Sequence, residues 1–164
     1  MHKFIRIAKQ YVESHDYDDK QDFRLAAVIV RGGNVISVGY NKHNTNSFVE
    51  HYTDLARGKR SYCLSTHAEM DAILKGREKT DLRGCKIFVA RVRNDSDNLG
   101  MARPCEICQH VLHNYGIKRA FYSIDANTYG IMKVDNPAKI YYKDDKVFNE
   151  THDELFGYDL SALV

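Results

Sequence analysis

The sequence predicts an α/β fold in a single domain spanning residues 1–164. Three observations carry that expectation. A chain of 164 residues is the size of one domain and long enough to bury a core. Its composition, 43% apolar and 28% charged, is that of a globular protein. Between about residues 25 and 123 the apolar pattern alternates between strand-like runs and helix-like periods, which predicts crossover connections and a parallel portion of sheet.

The elements follow in order. Phe4, Ile5, Ile7, Ala8, Tyr11 and Val12 recur at helical spacing, and the polar stretch HDYDDKQDF ends that helix. LAAVIVR and VISVGYN flank Gly32-Gly33-Asn34, a hairpin signal. The unbroken apolar run from Leu25 to Val30 suits a strand covered on both faces. Residues 42–66 read as a long connection with a helical turn near Val49 to Arg57, and connections of that length usually serve function. Thr66 offers an N-cap, with Glu69 at the capping-box position, for a helix HAEMDAILKG that Gly76 would stop. KIFVARV, residues 86–92, reads as a strand, and RNDSDNLGMAR as a loop. Pro104 introduces a helix, CEICQHVLHNYG, that ends at Gly116. Residues 119–123, RAFYS, form a strand, with further short strands at 131–134 and 140–142 and a tail helix within 149–164.

Composition also excludes function classes. The formal net charge is +2, and Lys and Arg are scattered, so a small substrate fits better than a polymeric nucleic acid. The 11 tyrosines fill half-buried strand faces more readily than they form a base-stacking platform. No stretch has the apolar length of a membrane span, and the N-terminus turns polar too soon for a signal peptide. A cytoplasmic location is expected. The four cysteines are then reduced, which favours metal binding or burial over disulfides.

Two short motifs carry chemistry. His67-Ala68-Glu69 stands at one predicted helix start, and Pro104-Cys105-Glu106-Ile107-Cys108 at another. Cys105 and Cys108 are three apart, so on a helix they share a face and can close on one ion. A helix N-terminus favours thiolate, the form that zinc needs. His67, Cys105 and Cys108 make three ligands, which leaves a position for water, as catalytic rather than structural zinc sites do. Glu69, two residues beyond His67, is placed to carry protons. Either motif alone has a plainer reading: C-x-x-C also occurs in redox motifs and zinc knuckles, and H-x-E alone is a solvated helix start. The pair, in this order, is far more specific.

Together these motifs resemble the cytidine and deoxycytidylate deaminase superfamily, over about Leu25 to Ser123. HAEMDAIL is similar to the H-A-E-x-x-A-I segment of deoxycytidylate deaminases, and PCEICQHVLHNYGIKRAFYS to their P-C-x-x-C helix and following strand. The resemblance implies a three-layer α/β/α fold with a mixed five-stranded sheet, one catalytic zinc, and hydrolytic conversion of cytosine to uracil with release of ammonia. Glu69 would protonate N3 and then the departing amine. Gly39-Tyr40-Asn41 resembles a G-x-N motif whose Asn contacts the sugar, which makes Asn41 and the base-contacting Ala68 substrate-binding candidates. The family is usually oligomeric, so a homo-oligomer is expected.

The expected substrate is a small pyrimidine nucleotide, dCMP first. Free cytidine or deoxycytidine, tRNA adenosine, an unpaired base in single-stranded DNA, and a non-catalytic zinc module remain alternatives. Asp71 departs from the Asn common in deoxycytidylate deaminases. Arg91, Arg93 and Arg103 lie near the metal motifs and are candidates to meet a phosphate, or simply solvated loop arginines. His51 and Cys63 hint at a second, structural zinc, although two residues do not make a site.

Overall fold

The computed structural model describes residues 1–18, 21–57, 65–134 and 146–149. Helix α1, Lys3–Ser14, is followed by strands β1, Arg24–Arg31, and β2, Asn34–Tyr40. Helices α2, Ser47–Arg57, and α3, Ala68–Arg77, precede β3, Lys86–Val92, and β4, Leu99–Gly100. Then come α4, Glu106–Asn114, and strands β5, Arg119–Ser123, β6, Thr128–Lys133, and β7, Lys146–Asn149. The sheet order is β2-β1-β3-β5-β6-β7, with β4 paired to the end of β3.

The sheet is mixed, as expected. β3 and β5 are parallel, joined through α4, while the other pairings are antiparallel. It holds seven strands among the described residues rather than five. The additions are the two-residue β4 and the edge strand β7, both too short for an apolar period to show. Residues 140–142 and the tail beyond 149 lie outside the described residues.

Strand periodicity makes three layers. Ala26, Val28 and Val30 of β1 face one core with Ile5, Ala8 and Val12 of α1, together with Phe88, Ala90 and Phe121. Ala27 and Ile29 face the other core, with residues of α2, α3 and α4. Both faces of β1 are thus covered, which explains its continuous apolar run. The β1–β2 turn is built on Gly32 and Gly33, with φ of +55° and +83°, and pairs Arg31 with Asn34.

Two details set the position of α3. At Gly39 on β2 a Cβ would lie 2.1 Å from the Ala72 nitrogen and 2.3 Å from the Ala68 oxygen. Only glycine lets the strand backbone come this close to the helix. Asp71 then straps the two together: its carboxylate accepts from the Tyr40 amide at 3.0 Å, Lys42 at 2.7 Å and Lys75 at 2.6 Å. Burial alone would raise the Asp71 carboxyl, but these three donors outweigh it and hold it below the ordinary aspartate range.

Two capping expectations are corrected. The N-cap of α3 is His67, not Thr66. Thr66 is held by backbone bonds to Lys42, and its hydroxyl donates to the Asn44 carbonyl at 2.7 Å, so no capping box with Glu69 forms. Gly76 lies within the helix, which runs to Arg77. A Cβ there would sit 2.8 Å from the Ser37 hydroxyl, so this glycine serves close packing rather than termination. The helical turn expected near 49–57 is a full helix, with the Asn46 side chain accepting from the Val49 amide at 3.0 Å.

Gly39→Ala is expected to destabilise the protein by about 1–3 kcal/mol in urea unfolding, the usual cost of forcing atoms into a packed contact. Asp71→Asn should flatten the acid limb of the stability–pH curve. A depressed carboxyl contributes above its unfolded pKa, and that contribution is lost as pH falls through the folded value. Melting temperatures of wild type and variant across the acid range would show whether it does.

Candidate metal centre and active site

Two helix starts meet at the site. His67 is the N-cap of α3, in extended conformation with ψ 155°, and its side chain makes no capping hydrogen bond. Its imidazole turns instead to the second helix start. Cys105 is the N-cap of α4, and Cys108 lies in that helix's first turn. The Gln109 amide donates to the Cys105 carbonyl and its side chain to the Pro104 carbonyl, both at 2.9 Å, which locks this turn. Upstream, Ser123 acts as a clasp: its carbonyl accepts from the Ala102 amide, and its hydroxyl donates to the Gly100 carbonyl and accepts from the Arg91 amide.

His67 Nδ1 lies 3.4 Å from Cys105 Sγ and 3.3 Å from Cys108 Sγ. All three candidate ligand atoms fall within 4.8 Å of one another. Zinc bonds of about 2.3 Å to sulfur and 2.0 Å to nitrogen, at a tetrahedral angle, put such atoms roughly 3.5 Å apart. The donor set and its spacing therefore fit one zinc ion. This is the one cluster of three or more metal-capable groups found among the described residues. His51 is exposed on α2, and Cys63 lies outside the described residues.

The electrostatics agree. The hydrogen bond from Cys108, aided by His67, holds the Cys105 thiol well below its ordinary range despite burial. The same bond, with burial, pushes the Cys108 thiol well above its own. A zinc ion held there would take both sulfurs as thiolates and release protons as it binds. Glu69 is 4% exposed, and burial raises its carboxyl above the ordinary range, against the pull of His67.

The cluster opens on a cavity of about 550 Å³, whose lining includes Asn41, His67, Ala68, Glu69, Arg91 and Cys105. Five of the sequence-derived site residues, His67, Glu69, Cys105, Asn41 and Ala68, thus line one space, with Cys108 buried behind them. Asn41 is braced through both ends of its carboxamide. Its Oδ1 accepts from the Leu25 amide at 2.8 Å, and its Nδ2 donates to Gln21 Oε1 at 2.8 Å and the Phe23 carbonyl at 2.7 Å. It ties the 21–25 segment to the end of β2.

Of the three arginines, Arg93 is paired with Asp95 at 2.7 Å, while Arg91 and Arg103 line the cavity. Asp71 is not among the lining residues. The structure adds Gln21, Asp22, Phe23 and Met101 to the walls. Their sequence neighbourhood is polar or irregular and holds no motif. The pairing of β1 with β2 and β3 brings residues 21–23 to the site, and the pairing of β4 with β3 brings Met101.

The family model described as the cytidine and deoxycytidylate deaminase zinc-binding region matches residues 1–124. No curated protein matches the chain. Among solved structures, the cytidine deaminase from Burkholderia pseudomallei is 20% identical over 92% of this chain and 94% of its own, with a TM-score of 0.50. The dCMP deaminase from the cyanophage S-TIM5 is 16% identical over 74% of this chain and 79% of its own, with a TM-score of 0.49. The Burkholderia likeness supports the fold. With the family match covering most of the sequence and the ligand geometry in place, this chain belongs to the cytidine and deoxycytidylate deaminase zinc-binding family.

Proposed function

We propose that the chain is a zinc-dependent hydrolase that converts a cytosine nucleotide, dCMP to dUMP, with release of ammonia. The observation that carries this reading is a buried carboxylate, Glu69, on the wall of a cavity beside a cluster of three candidate metal ligands among the described residues. A purely structural zinc has no use for that carboxylate. His67, Cys105 and Cys108 would hold the metal. Zinc bound there supplies Lewis acidity and brings the ionisation of water to about neutral pH. Glu69 would take one proton from the attacking water and pass it to N3, then take the second from the hydroxyl so formed on C4 and pass it to the departing amine.

Ala68, fully buried at the start of α3, presents a small side chain that lets a planar base approach the helix end. Asn41 is the sugar-side residue of this reading, with its carboxamide also bracing the 21–25 wall. A net charge of +2 without a basic run favours a free nucleotide over tRNA or single-stranded DNA, whose binding is dominated by phosphate neutralisation. The cavity volume of about 550 Å³ is in the range of small-molecule sites. A cytoplasmic homo-oligomer belongs to the same reading. Its support is chemical for the compartment, since the described cysteines are free thiols, and by resemblance for the assembly. Among the described residues no helix is long and apolar enough to cross a membrane.

A panel of dCMP, dCTP, cytidine and deoxycytidine, scored for ammonia release, tests the reading. Turnover of dCMP is expected, and none on any member would refute it. Glu69→Gln should keep zinc and lose turnover by about 10²- to 10⁴-fold, the usual worth of a positioned proton carrier. A near-normal rate would remove Glu69 from that role. Metal analysis should find one zinc per chain in wild type and none in Cys105→Ala or Cys108→Ala, which should also melt at lower temperature.

A further inference from the structure

Arg91 is the arginine on the cavity wall whose needs the fold leaves unmet. It sits at the end of β3, opposite Leu25 of β1 and Gly100 of β4. Its Nε is buried and has no hydrogen-bond partner. Other arginines are engaged: Arg24 with Asp97, Arg31 with the Thr80 hydroxyl, Arg77 with the Tyr115 hydroxyl, Arg83 with Asp81, and Arg93 with Asp95. Among the described residues no carboxylate pairs with Arg91. Buried donors are normally satisfied, so an unsatisfied one calls for an explanation beyond the fold.

Its surroundings supply one. The guanidinium carbon lies 4.3 Å from the centre of the Phe23 ring. That cation–π contact holds the guanidinium over the ring face. Phe23 is 48% exposed at the mouth, so the pair stands where a ligand enters rather than deep in the core. Arg91 is also the partition between two spaces. It lines the cavity that holds Glu69 and a neighbouring one of about 420 Å³ that Arg93 and Asn94 help to line. Gly100 faces the Arg91 side chain across the β3–β4 ladder, where a Cβ would meet Arg91 Cδ and Nε at an ordinary contact distance of 3.8 Å.

We propose that Arg91, stacked on Phe23, binds the phosphate of the substrate and so sets the preference for nucleotide over nucleoside. A guanidinium can take two phosphate oxygens at once, which fixes orientation as well as charge. The base then points towards Ala68 and Glu69 while the phosphate rests against the partition. This assignment rests on the chain being a cytosine-nucleotide deaminase.

The test uses full-length, zinc-loaded wild type, Arg91→Gln, Arg91→Lys and Phe23→Leu, each checked for melting temperature. Calorimetric titration with dUMP, deoxyuridine and inorganic phosphate is paired with kcat/KM on dCMP and deoxycytidine. Wild type should bind dUMP more tightly than deoxyuridine. Arg91→Gln should shrink that preference, and the dCMP to deoxycytidine ratio of kcat/KM, by about 10- to 100-fold, the worth of charged hydrogen bonds. Arg91→Lys should recover part of it, and Phe23→Leu should lose part. An unchanged preference in Arg91→Gln, or nucleotide and nucleoside weakening in parallel, would overturn the proposal. If Arg91→Gln does not fold, Arg91→Lys is read by the same ratio. Absence of turnover on every cytosine compound would defeat the deaminase reading alone, because dUMP and phosphate binding still decide on Arg91.

Discussion

A buried carboxylate, an imidazole and two sulfurs in contact form an expensive arrangement, because each charge loses its water. The molecule meets that cost in the way it places its helices. Both α3 and α4 begin at the cluster, so two sets of unpaired backbone amides and two positive dipole ends surround the anionic groups. Neither N-cap side chain closes its own helix. His67 and Cys105 sit in the cap positions but turn to one another, and a metal ion of matching charge completes the balance.

That convergence demands backbone precision from elements distant in sequence. α3 is held against β2 by the missing side chain at Gly39 and by the Asp71 strap to Lys42, Lys75 and the Tyr40 amide. The entry to α4 is held from the other side, by Ser123 at the end of β5. The two parallel strands β3 and β5 thus carry the second helix start, while the β1–β2 hairpin carries the first. An ionic strap with partly exposed lysines adds modest stability, and its greater consequence is positional.

The parts of this arrangement that depend on local sequence are legible in the sequence itself. Residues 25–30 read as a doubly covered strand because every position is apolar, and both faces of β1 are indeed packed. The metal ligands and Glu69 read from two short motifs because helix geometry fixes what three residues can reach. Legibility fails where a residue's partner is far away in sequence. Thr66 has the chemistry of an N-cap, but its hydroxyl is claimed by Asn44, and the cap passes to His67. Gly76 has the chemistry of a helix stop, but Ser37 across the interface explains it. The strands β4 and β7 are too short to show a period and exist through pairing with β3 and β6.

Asn41 and Arg91 show why the two halves of the site differ in this respect. Chemistry at the metal needs a few atoms in fixed relation, which short helical motifs can encode. The walls that judge a substrate are assembled from the 21–25 segment, the end of β2, the end of β3 and the approach to α4. Asn41 braces that wall through both its amide nitrogen and its oxygen, so it positions Phe23 even as it lines the space. Phe23 in turn positions Arg91, which reaches the cavity only because β1 pairs with β3 in the register that sets Leu25 opposite it. If Arg91 holds the substrate phosphate as proposed, substrate choice is a property of strand register. On that proposal, a change in the β1–β3 register would alter which molecule is accepted without touching a metal ligand.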